Sequence, residues 1–186
     1  MEHAFSHLDA QGNVTMVDVG DKAPSKRVAI AANELLEQQG KTGKLTLSEE
    51  SRPFQGGLYV QNGNVEVLKK SALPKGDVLA CAKIGGIMAA KRTSQLIPLC
   101  HSLNLTFADV RFEVRDMPPQ VRIEAEARTV GSTGVEMEAI VAAQSAAAII
   151  YDMCKAVQRD IVISRVRLLH KSGGKSGEFN APELPA

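Results

Sequence analysis

An alternation of apolar and charged residues at positions 121–130 sets the strongest limit on how this chain can fold. The apolar members are Val121, Ile123, Ala125 and Ala127, and the charged members are Arg122, Glu124, Glu126 and Arg128. A period of two residues is typical of a β-strand with one buried and one wet face. Positions 103–115 alternate as well, and Met117-Pro-Pro-Gln can turn the chain between the two runs. The pattern predicts an antiparallel hairpin with one wet face.

The first strand of this hairpin changes phase. Its apolar residues run through Leu105 and Phe107 and then restart on Val110 and Phe112. Because a one-residue shift exchanges the two faces of a strand, we expect a β-bulge near Ala108-Asp109.

The segments before the hairpin predict further elements. Residues 16–19 form a short apolar run, interpreted as a strand, and residues 25–36 combine helix formers with apolar residues at helical spacing. Turn residues and short apolar runs between 40 and 73 predict an inserted hairpin. Asp77 can cap a helix that ends at Lys91 and carries one apolar stripe, which comprises Val78, Cys81, Ile84 and Met88. The glycines Gly85 and Gly86 in this helix are expected to permit close packing.

After the hairpin, Gly131-Ser-Thr-Gly opens an Ala-rich helix to about Val157, and residues 161–169 form a last strand. This order of elements predicts an α+β fold, a ferredoxin-like antiparallel sheet with helices packed on one face. The 186 residues are expected to form a single domain over 1–186, with an insertion at about 40–73 and a flexible C-terminal tail from about 176.

Composition excludes several classes of function. Hydrophobic residues make up 44% and charged residues 23% of the chain, which is too apolar for a disordered protein. A formal net charge of +1 and 4% aromatics supply neither a cationic field nor stacking rings, so nucleic acid is not an expected partner. The longest apolar stretch, 139–151, is shorter than the roughly 20 residues of a membrane span, so we expect a buried helix and no membrane partner.

The cysteines point to a reducing compartment. Cys81, Cys100 and Cys154 form no Cys-x-x-Cys pair and leave an odd thiol in any disulfide scheme. The N-terminus lacks the apolar core of a secretion signal, so a cytoplasmic protein is expected. No spacing of Cys and His residues indicates zinc, and no metal is assigned.

A glycine-rich loop with two lysines follows the last strand. Lys171-Ser-Gly-Gly-Lys-Ser-Gly frees backbone N–H groups and supplies Lys171 and Lys175 to an anion. The full phosphate-loop pattern fails because position 169, where its first glycine would stand, is Leu169. A cationic loop remains, which either binds an anion or is merely solvated.

Asp152 and Lys155 lie three residues apart on the long helix and therefore project from one face. A surface ion pair is the common explanation of such spacing. The apolar neighbours of the pair also allow a buried pair, in which desolvation lowers and the carboxylate raises the lysine pKa, and Lys155 could then act in proton transfer.

Glu136 and Glu138 near the start of the same helix diverge by about 160° on a helix, so at most one of them should line a given site. Glu136 is explained by the helix dipole. His101 lies between a helix and a strand and is more often a structural donor than a catalyst there. Lys75 occupies a similar junction and could be a plain surface charge.

Seven segments together resemble one family. They are Met16-Val-Asp-Val, Lys75-Gly-Asp-Val, Ala89-Ala-Lys-Arg-Thr, Leu96-Ile-Pro-Leu-Cys-His, Gly131-Ser-Thr-Gly-Val-Glu-Met-Glu-Ala, Ile150-Tyr-Asp-Met-Cys-Lys-Ala-Val and Lys171-Ser-Gly-Gly-Lys-Ser-Gly. In this order they resemble the cyclic pyranopterin monophosphate synthase family, the MoaC-type proteins of molybdenum cofactor biosynthesis. The resemblance thins between about 33 and 73, where this chain is longer than the usual pattern. Ser102 also stands where the bacterial pattern commonly has Pro.

The resemblance implies a lyase that rearranges 3′,8-cyclo-7,8-dihydro-GTP into cyclic pyranopterin monophosphate and releases pyrophosphate. It implies Lys75 and Lys155 as general acid/base lysines and Asp152 as the active-site aspartate. Substrate contacts are implied for Leu99, Cys100, His101, Met137 and Glu138, and Lys171, Lys175, Arg27 and Glu136 are further candidates for binding the substrate. It also implies a homohexamer, a trimer of dimers, with sites at subunit interfaces and with no metal or organic cofactor.

Two alternatives stay open at this point. The chain could be a non-catalytic nucleotide-binding or assembly module that kept the fold. The insertion and Ser102 favour this alternative. It could also be a different lyase acting on another phosphorylated heterocycle, since a scaffold specifies a substrate only weakly.

Overall fold

In the part of the chain that the structure describes, five antiparallel strands form one sheet, and the helices cover one of its faces. The computed structural model describes residues 16–37, 76–116 and 119–182. In chain order the elements are β1 (Ser25–Glu37), α1 (Val78–Ala90), α2 (Thr93–Leu96), β2 (Leu105–Asp116), β3 (Pro119–Gly131), α3 (Glu136–Cys154), β4 (Ile161–Ser172) and β5 (Phe179–Asn180). The order across the sheet is β2-β3-β1-β4-β5. The predicted α+β architecture, a ferredoxin-like antiparallel sheet with helices on one face, is confirmed.

The start of the chain differs from the prediction. Residues 16–19 have no regular secondary structure, and the helix predicted over 25–36 is wrong, because this segment is β1. β1 is the central strand and pairs with β3 on one side and β4 on the other. Ala29 and Ala31 are fully buried in a small cluster with Ala139 of α3. The two ladders and this tight packing outweigh the helix propensity of an alanine-rich segment.

The hairpin of β2 and β3 is confirmed. Val121, Ile123 and Ala125 are fully buried in the core, whereas Arg122 and Glu124 lie on the opposite face. The phase change of β2 is also present, but the register shifts between Leu105 and Phe107, about two residues before the expected position. Sequence alternation shows that a bulge is needed and locates it only approximately.

Helix α1 begins as predicted but buries a different face. The Asp77 carboxylate accepts a hydrogen bond from the Ala80 N–H at 3.0 Å, and Lys91 is the C-cap. Its buried residues are Val78, Ala82, Gly86 and Ala90. The predicted stripe is therefore wrong beyond Val78, since Cys81, Ile84 and Met88 are exposed. The small residues mark the buried face because α1 lies close against α3.

Helix α3 fills the centre of the molecule. Ala142, Ala143, Ala146 and Ala147 are buried between α1 and the sheet. Gly86 of α1 provides the expected close approach, because a Cβ there would lie 2.9 Å from the Ala142 carbonyl oxygen. Within the described part of the chain, α3 is long and apolar enough to cross a bilayer, but more than half of its apolar window is buried inside the fold. That is the environment of a core helix.

Two predictions concern the ends of the described segments. The insertion at 40–73 and Lys75 lie outside the described residues, so both stay predictions. In the region expected to be a flexible tail, β5 pairs with His170 and Lys171 of β4, and the Ala181 N–H donates to the Leu169 carbonyl oxygen at 2.7 Å. The loop at 173–178 is thus held at both of its ends by the sheet.

Candidate functional site

Two adjoining cavities open around the N-terminal end of α3. The first, the Cys100 cavity, has a volume of about 270 Å³. It is lined by Val17, Val19, Lys22, Leu99, Cys100, His101, Leu103, Thr133, Gly134, Glu136, Met137 and Glu138. The second, the Lys175 cavity, has about 320 Å³. It is lined by Lys22, Arg27, Val28, Ser132, Thr133, Gly134, Glu136, Lys171, Ser172, Gly173, Lys175 and Ser176. Lys22, Thr133, Gly134 and Glu136 line both, so the two cavities share a wall.

The glycine-rich loop after β4 closes one side of the Lys175 cavity. Gly173 and Gly174 have φ angles of 91° and 78°, in the left-handed region that glycine adopts without strain. A Cβ at Gly173 would overlap the Lys26 carbonyl oxygen, and one at Gly174 would overlap the Arg27 guanidinium. Glycine is therefore required at both positions for the loop to lie against β1 and turn Lys175 towards the cavity.

Arg27 connects the loop between β3 and α3 to β1. Its Nε donates to the Gly131 carbonyl oxygen at 2.9 Å, and its Nη2 donates to the Ser132 carbonyl oxygen at 3.1 Å. A guanidinium suits two neighbouring acceptors because its donors form a rigid fork. Arg27 thus lines the cavity and also holds the segment that leads into α3.

Lys171 lines the Lys175 cavity and has two partners. Its Nζ is 3.0 Å from Glu136 Oε1 and donates to Ser176 Oγ at 2.9 Å. Lys22 and Lys175, in contrast, have no side-chain partner among residues 16–37, 76–116 and 119–182. Of the three lysines that line the cavity, Lys171 is thus paired, and Lys22 and Lys175 have ammonium groups without a partner in the described part of the chain.

The Cys100 cavity contains a buried carboxyl group. Glu138 is only 4% exposed. Burial raises its pKa, and so does the charge of Glu136, whereas a hydrogen bond to its own backbone N–H lowers it; the net direction is upward. Burial also raises the pKa of the Cys100 thiol, with a further contribution from Glu138. A thiol and a carboxyl group whose pKa values are both raised face the same space.

His101 lies beside them at the end of the segment that joins α2 to β2. Its Nε2 is 2.7 Å from the Val17 carbonyl oxygen, so Nε2 carries the proton and donates. This geometry is consistent with both interpretations of His101, the structural donor and the substrate contact, because the ring donates through Nε2 and also lines the cavity.

Asp152 and Lys155 lie at the opposite end of α3. Asp152 follows Glu138 by 14 residues on one straight helix, a rise of about 21 Å. The side chains of Asp152 and Lys155 are 58% and 52% exposed, respectively, and Lys155 Nζ is 2.6 Å from Asp152 Oδ1. The hydrogen bond and the charge of Asp152 raise the pKa of Lys155. Within one chain this is a surface ion pair with a protonated lysine, not the buried pair that the apolar neighbours allowed.

The sequence-derived candidates thus fall into three groups. Leu99, Cys100, His101, Met137 and Glu138 line the Cys100 cavity, Arg27, Lys171 and Lys175 line the Lys175 cavity, and Glu136 lines both. Asp152 and Lys155 lie apart from both cavities, and Lys75 is outside the described residues. The expectation that only one of Glu136 and Glu138 would line a given site is wrong, because the cavity crosses the end of the helix and meets both.

Sequence reasoning missed Lys22 and Thr133. Lys22 ends a turn in which the Gly20 N–H donates to Asp18 Oδ1 at 2.8 Å and the Lys22 N–H donates to the Val19 carbonyl oxygen at 3.1 Å. The available signals were Asp18 followed two residues later by Gly20, a turn pattern, and a lysine two residues after that glycine. Thr133 stands within a motif that indicated a helix start and the family resemblance, and no role was predicted for this residue.

Together the cavities define a class of protein: an α+β protein with a cavity lined by several cationic side chains next to a cavity of mixed apolar and polar lining. Among the described residues, no three Cys, His, Asp or Glu side chains are grouped as the ligands of a metal ion would be.

Comparison with known proteins assigns the family. The MoaC family model matches residues 16–174. The chain is 65% identical to the cyclic pyranopterin monophosphate synthase of Desulfovibrio desulfuricans, with 99% of each chain covered. It is 56% identical to the enzyme of the same name from Nitratidesulfovibrio vulgaris, with 96% of each chain covered. It is also 45% identical to that from Chloroflexus aurantiacus, over 96% of this chain and 95% of the relative. The chain belongs to the MoaC family.

Proposed function

We propose that this chain is a lyase that converts 3′,8-cyclo-7,8-dihydro-GTP into cyclic pyranopterin monophosphate and releases pyrophosphate. The observation that carries the proposal is the pairing of a cationic cavity with a second, less charged cavity across a shared wall at the start of α3. A nucleoside triphosphate derivative has the same division into a polyanionic arm and a polar ring system. The names of the curated relatives support the reaction and its place in molybdenum cofactor biosynthesis.

The Lys175 cavity suits the triphosphate arm. Lys22 and Lys175 offer ammonium groups without partners in the described part of the chain, and Lys171 adds a third. The N-terminal end of α3 favours negative charge at the same place because of its unpaired N–H groups and its dipole. Phosphate groups bound here would direct the rest of the substrate across the shared wall.

The Cys100 cavity then receives the ring system. Glu138 and His101 provide polar atoms, and Leu99, Cys100 and Met137 provide an apolar surface for a flat heterocycle. The raised pKa of Glu138 allows this carboxyl group either to donate or to accept a hydrogen bond as protons move on the ring.

The acid/base groups require a second copy of the chain. Asp152 and Lys155 are implied in catalysis by the family resemblance, yet about 21 Å of helix separates them from Glu138. We therefore assign to each site the cavities of one chain and the Asp152–Lys155 pair of a neighbouring copy, in a hexamer built as a trimer of dimers. Lys75, outside the described residues, is the third proposed acid/base group. A cytoplasmic location, and the expectation of neither a nucleic-acid nor a membrane partner, belong to the same proposal.

Turnover is the direct test. Purified protein supplied with the cyclised nucleotide should form the pterin product and one equivalent of pyrophosphate. Binding without product, under conditions in which a known relative works, would contradict the proposal and favour a non-catalytic nucleotide-binding module.

Complementation tests whether the site is shared. Lys171→Ala damages the cavity and leaves Lys155 intact, whereas Lys155→Ala does the reverse, so each variant alone should be nearly inactive. Mixed assemblies that form at random regain about a quarter of the wild-type sites if each site draws on two chains, because half of the dimers are mixed and each holds one intact site. A mixture of Lys155→Ala with Asp152→Ala is the control, since both defects lie in the same half of the site. Equal recovery in both mixtures, or none in the first, would overturn the shared site.

A further inference from the structure

A carboxylate lies inside the cavity that we assign to phosphate. Glu136 is the first residue of α3, and its Oε1 is 3.0 Å from Lys171 Nζ. Its other oxygen, Oε2, lies so close over Gly134 that a Cβ at this glycine would overlap it. The side chain therefore folds back over the N-terminal end of α3 instead of extending into solvent, and it lines both cavities.

This placement opposes the binding of a polyanion. The carboxylate neutralises Lys171, one of the lysines that line the cavity, and it occupies space that an anion would take at the start of α3. It also adds like-charge repulsion against any phosphate that enters. A site shaped only for affinity would not contain it, and the helix dipole alone does not explain why the side chain turns towards Lys171.

We propose that Glu136 is a built-in substitute for a phosphate group, which holds Lys171 in the free protein and is displaced when the triphosphate arm binds. The inference rests on the proposed function and adds a role for one residue of its site. Because the carboxylate stays attached to the chain, it competes with every phosphate ligand at a fixed local concentration. Its consequence is weaker binding of pyrophosphate, so that this product leaves once the phosphoanhydride bond that joined it to the α-phosphate of the substrate is broken.

If Glu136 has the alternative role of positioning Lys171, its removal changes the affinity for phosphate ligands in the opposite direction. If Glu136 only positioned Lys171, its removal would leave the lysine free to move, and phosphate ligands would bind more weakly. If Glu136 is a competitor, its removal frees Lys171 and reduces the repulsion, and phosphate ligands bind more tightly.

Calorimetry with pyrophosphate on the full chain separates the two roles. Glu136→Gln keeps the size of the side chain and removes the charge, and we expect pyrophosphate to bind about tenfold more tightly than to the wild type at one ionic strength. Glu113→Gln is the matched control, since it removes the same charge from an exposed residue of β2 paired with Arg115, on the wet face of the hairpin. It should change the affinity less than twofold. Glu136→Ala provides a second variant, and circular dichroism confirms that each protein is folded.

The outcomes are distinct. Unchanged or weaker binding to both Glu136 variants overturns the inference. Lys175→Ala tests the proposed function separately: if this variant binds pyrophosphate as well as the wild type, the cavity is not the phosphate site, whatever the Glu136 variants do. Binding that is lost in Lys175→Ala and tightened in Glu136→Gln supports both.

Discussion

The contact between α1 and α3 predicts different effects for two adjacent glycines. A Cβ at Gly86 would lie 2.9 Å from the Ala142 carbonyl oxygen, 2.9 Å from Val110 Cγ2 and 3.3 Å from Ala146 Cβ. Two of these neighbours belong to the helix against which α1 packs, and the carbonyl is backbone. A Cβ at Gly85 would meet only the Ile149 side chain, whose end can rotate away.

The magnitudes follow from two opposing effects. Replacing a glycine by alanine within a helix stabilises the folded state by about 1 kcal/mol. Overpacking a rigid core contact costs about 1–3 kcal/mol. At Gly86 both effects operate, so Gly86→Ala should lower the stability by about 1 kcal/mol. At Gly85 the clash is relieved at little cost, so Gly85→Ala should raise the stability by about 0.5 kcal/mol. The difference between the variants corresponds to roughly 3–6 °C in Tm for a chain of this length.

Thermal unfolding followed by far-ultraviolet circular dichroism measures this difference, at one protein concentration for all samples because association shifts Tm. Urea titration provides a second measurement of the same free energies. If Gly86→Ala is as stable as Gly85→Ala, the backbones of α1 and α3 do not approach as closely as described, and the explanation of the small-residue face of α1 fails.

Two further predictions concern the cavities. Burial raises the pKa of Glu138, so the native state of the wild type loses stability as pH rises from the ordinary carboxyl range through the raised pKa. Glu138→Gln has no such group, so it should become more stable relative to the wild type across that window. A constant difference in stability between the two proteins, in urea titrations at several pH values, would contradict this. Arg27→Lys replaces a fork that bonds the carbonyl oxygens of Gly131 and Ser132 with a single ammonium group, and it should raise KM about tenfold while changing kcat much less; an unchanged KM would show that the clamp does not position the loop.

Local chemistry made part of the fold predictable. The hairpin of β2 and β3 followed from a period of two residues, and the start of α1 followed from the Asp77 cap, because each signal acts over a few residues. The strand β1 could not be found in this way. Its alanines favour a helix locally, and only the two neighbouring strands and α3, all distant in sequence, make it the centre of the sheet.

The prediction of which face of α1 is buried was wrong for a related reason. The largest apolar residues were expected to be buried, yet Ala82, Gly86 and Ala90 lie inside because the helices approach too closely for Ile84 or Met88. A stripe of small residues at a spacing of four was the available signal. For the site, motif resemblance named most of the cavity residues, whereas Lys22 depended on how residues 16–22 fold back over the start of α3.

Under the proposed function, the geometry of α3 makes the acid/base chemistry depend on the assembly of copies of the chain. A helix of 19 residues buried along its length cannot bend to bring its two ends together, so the cavities at Glu138 and the ion pair at Asp152–Lys155 stay apart in any single copy. In one chain Lys155 is exposed and its pKa is raised by Asp152, which makes it a poor base. Burial of this pair against a second copy would desolvate the ammonium group and lower its pKa towards the range in which it both takes up and releases protons. The same contact that brings Lys155 to the substrate would therefore also adjust its proton affinity, and an isolated chain would lack both effects.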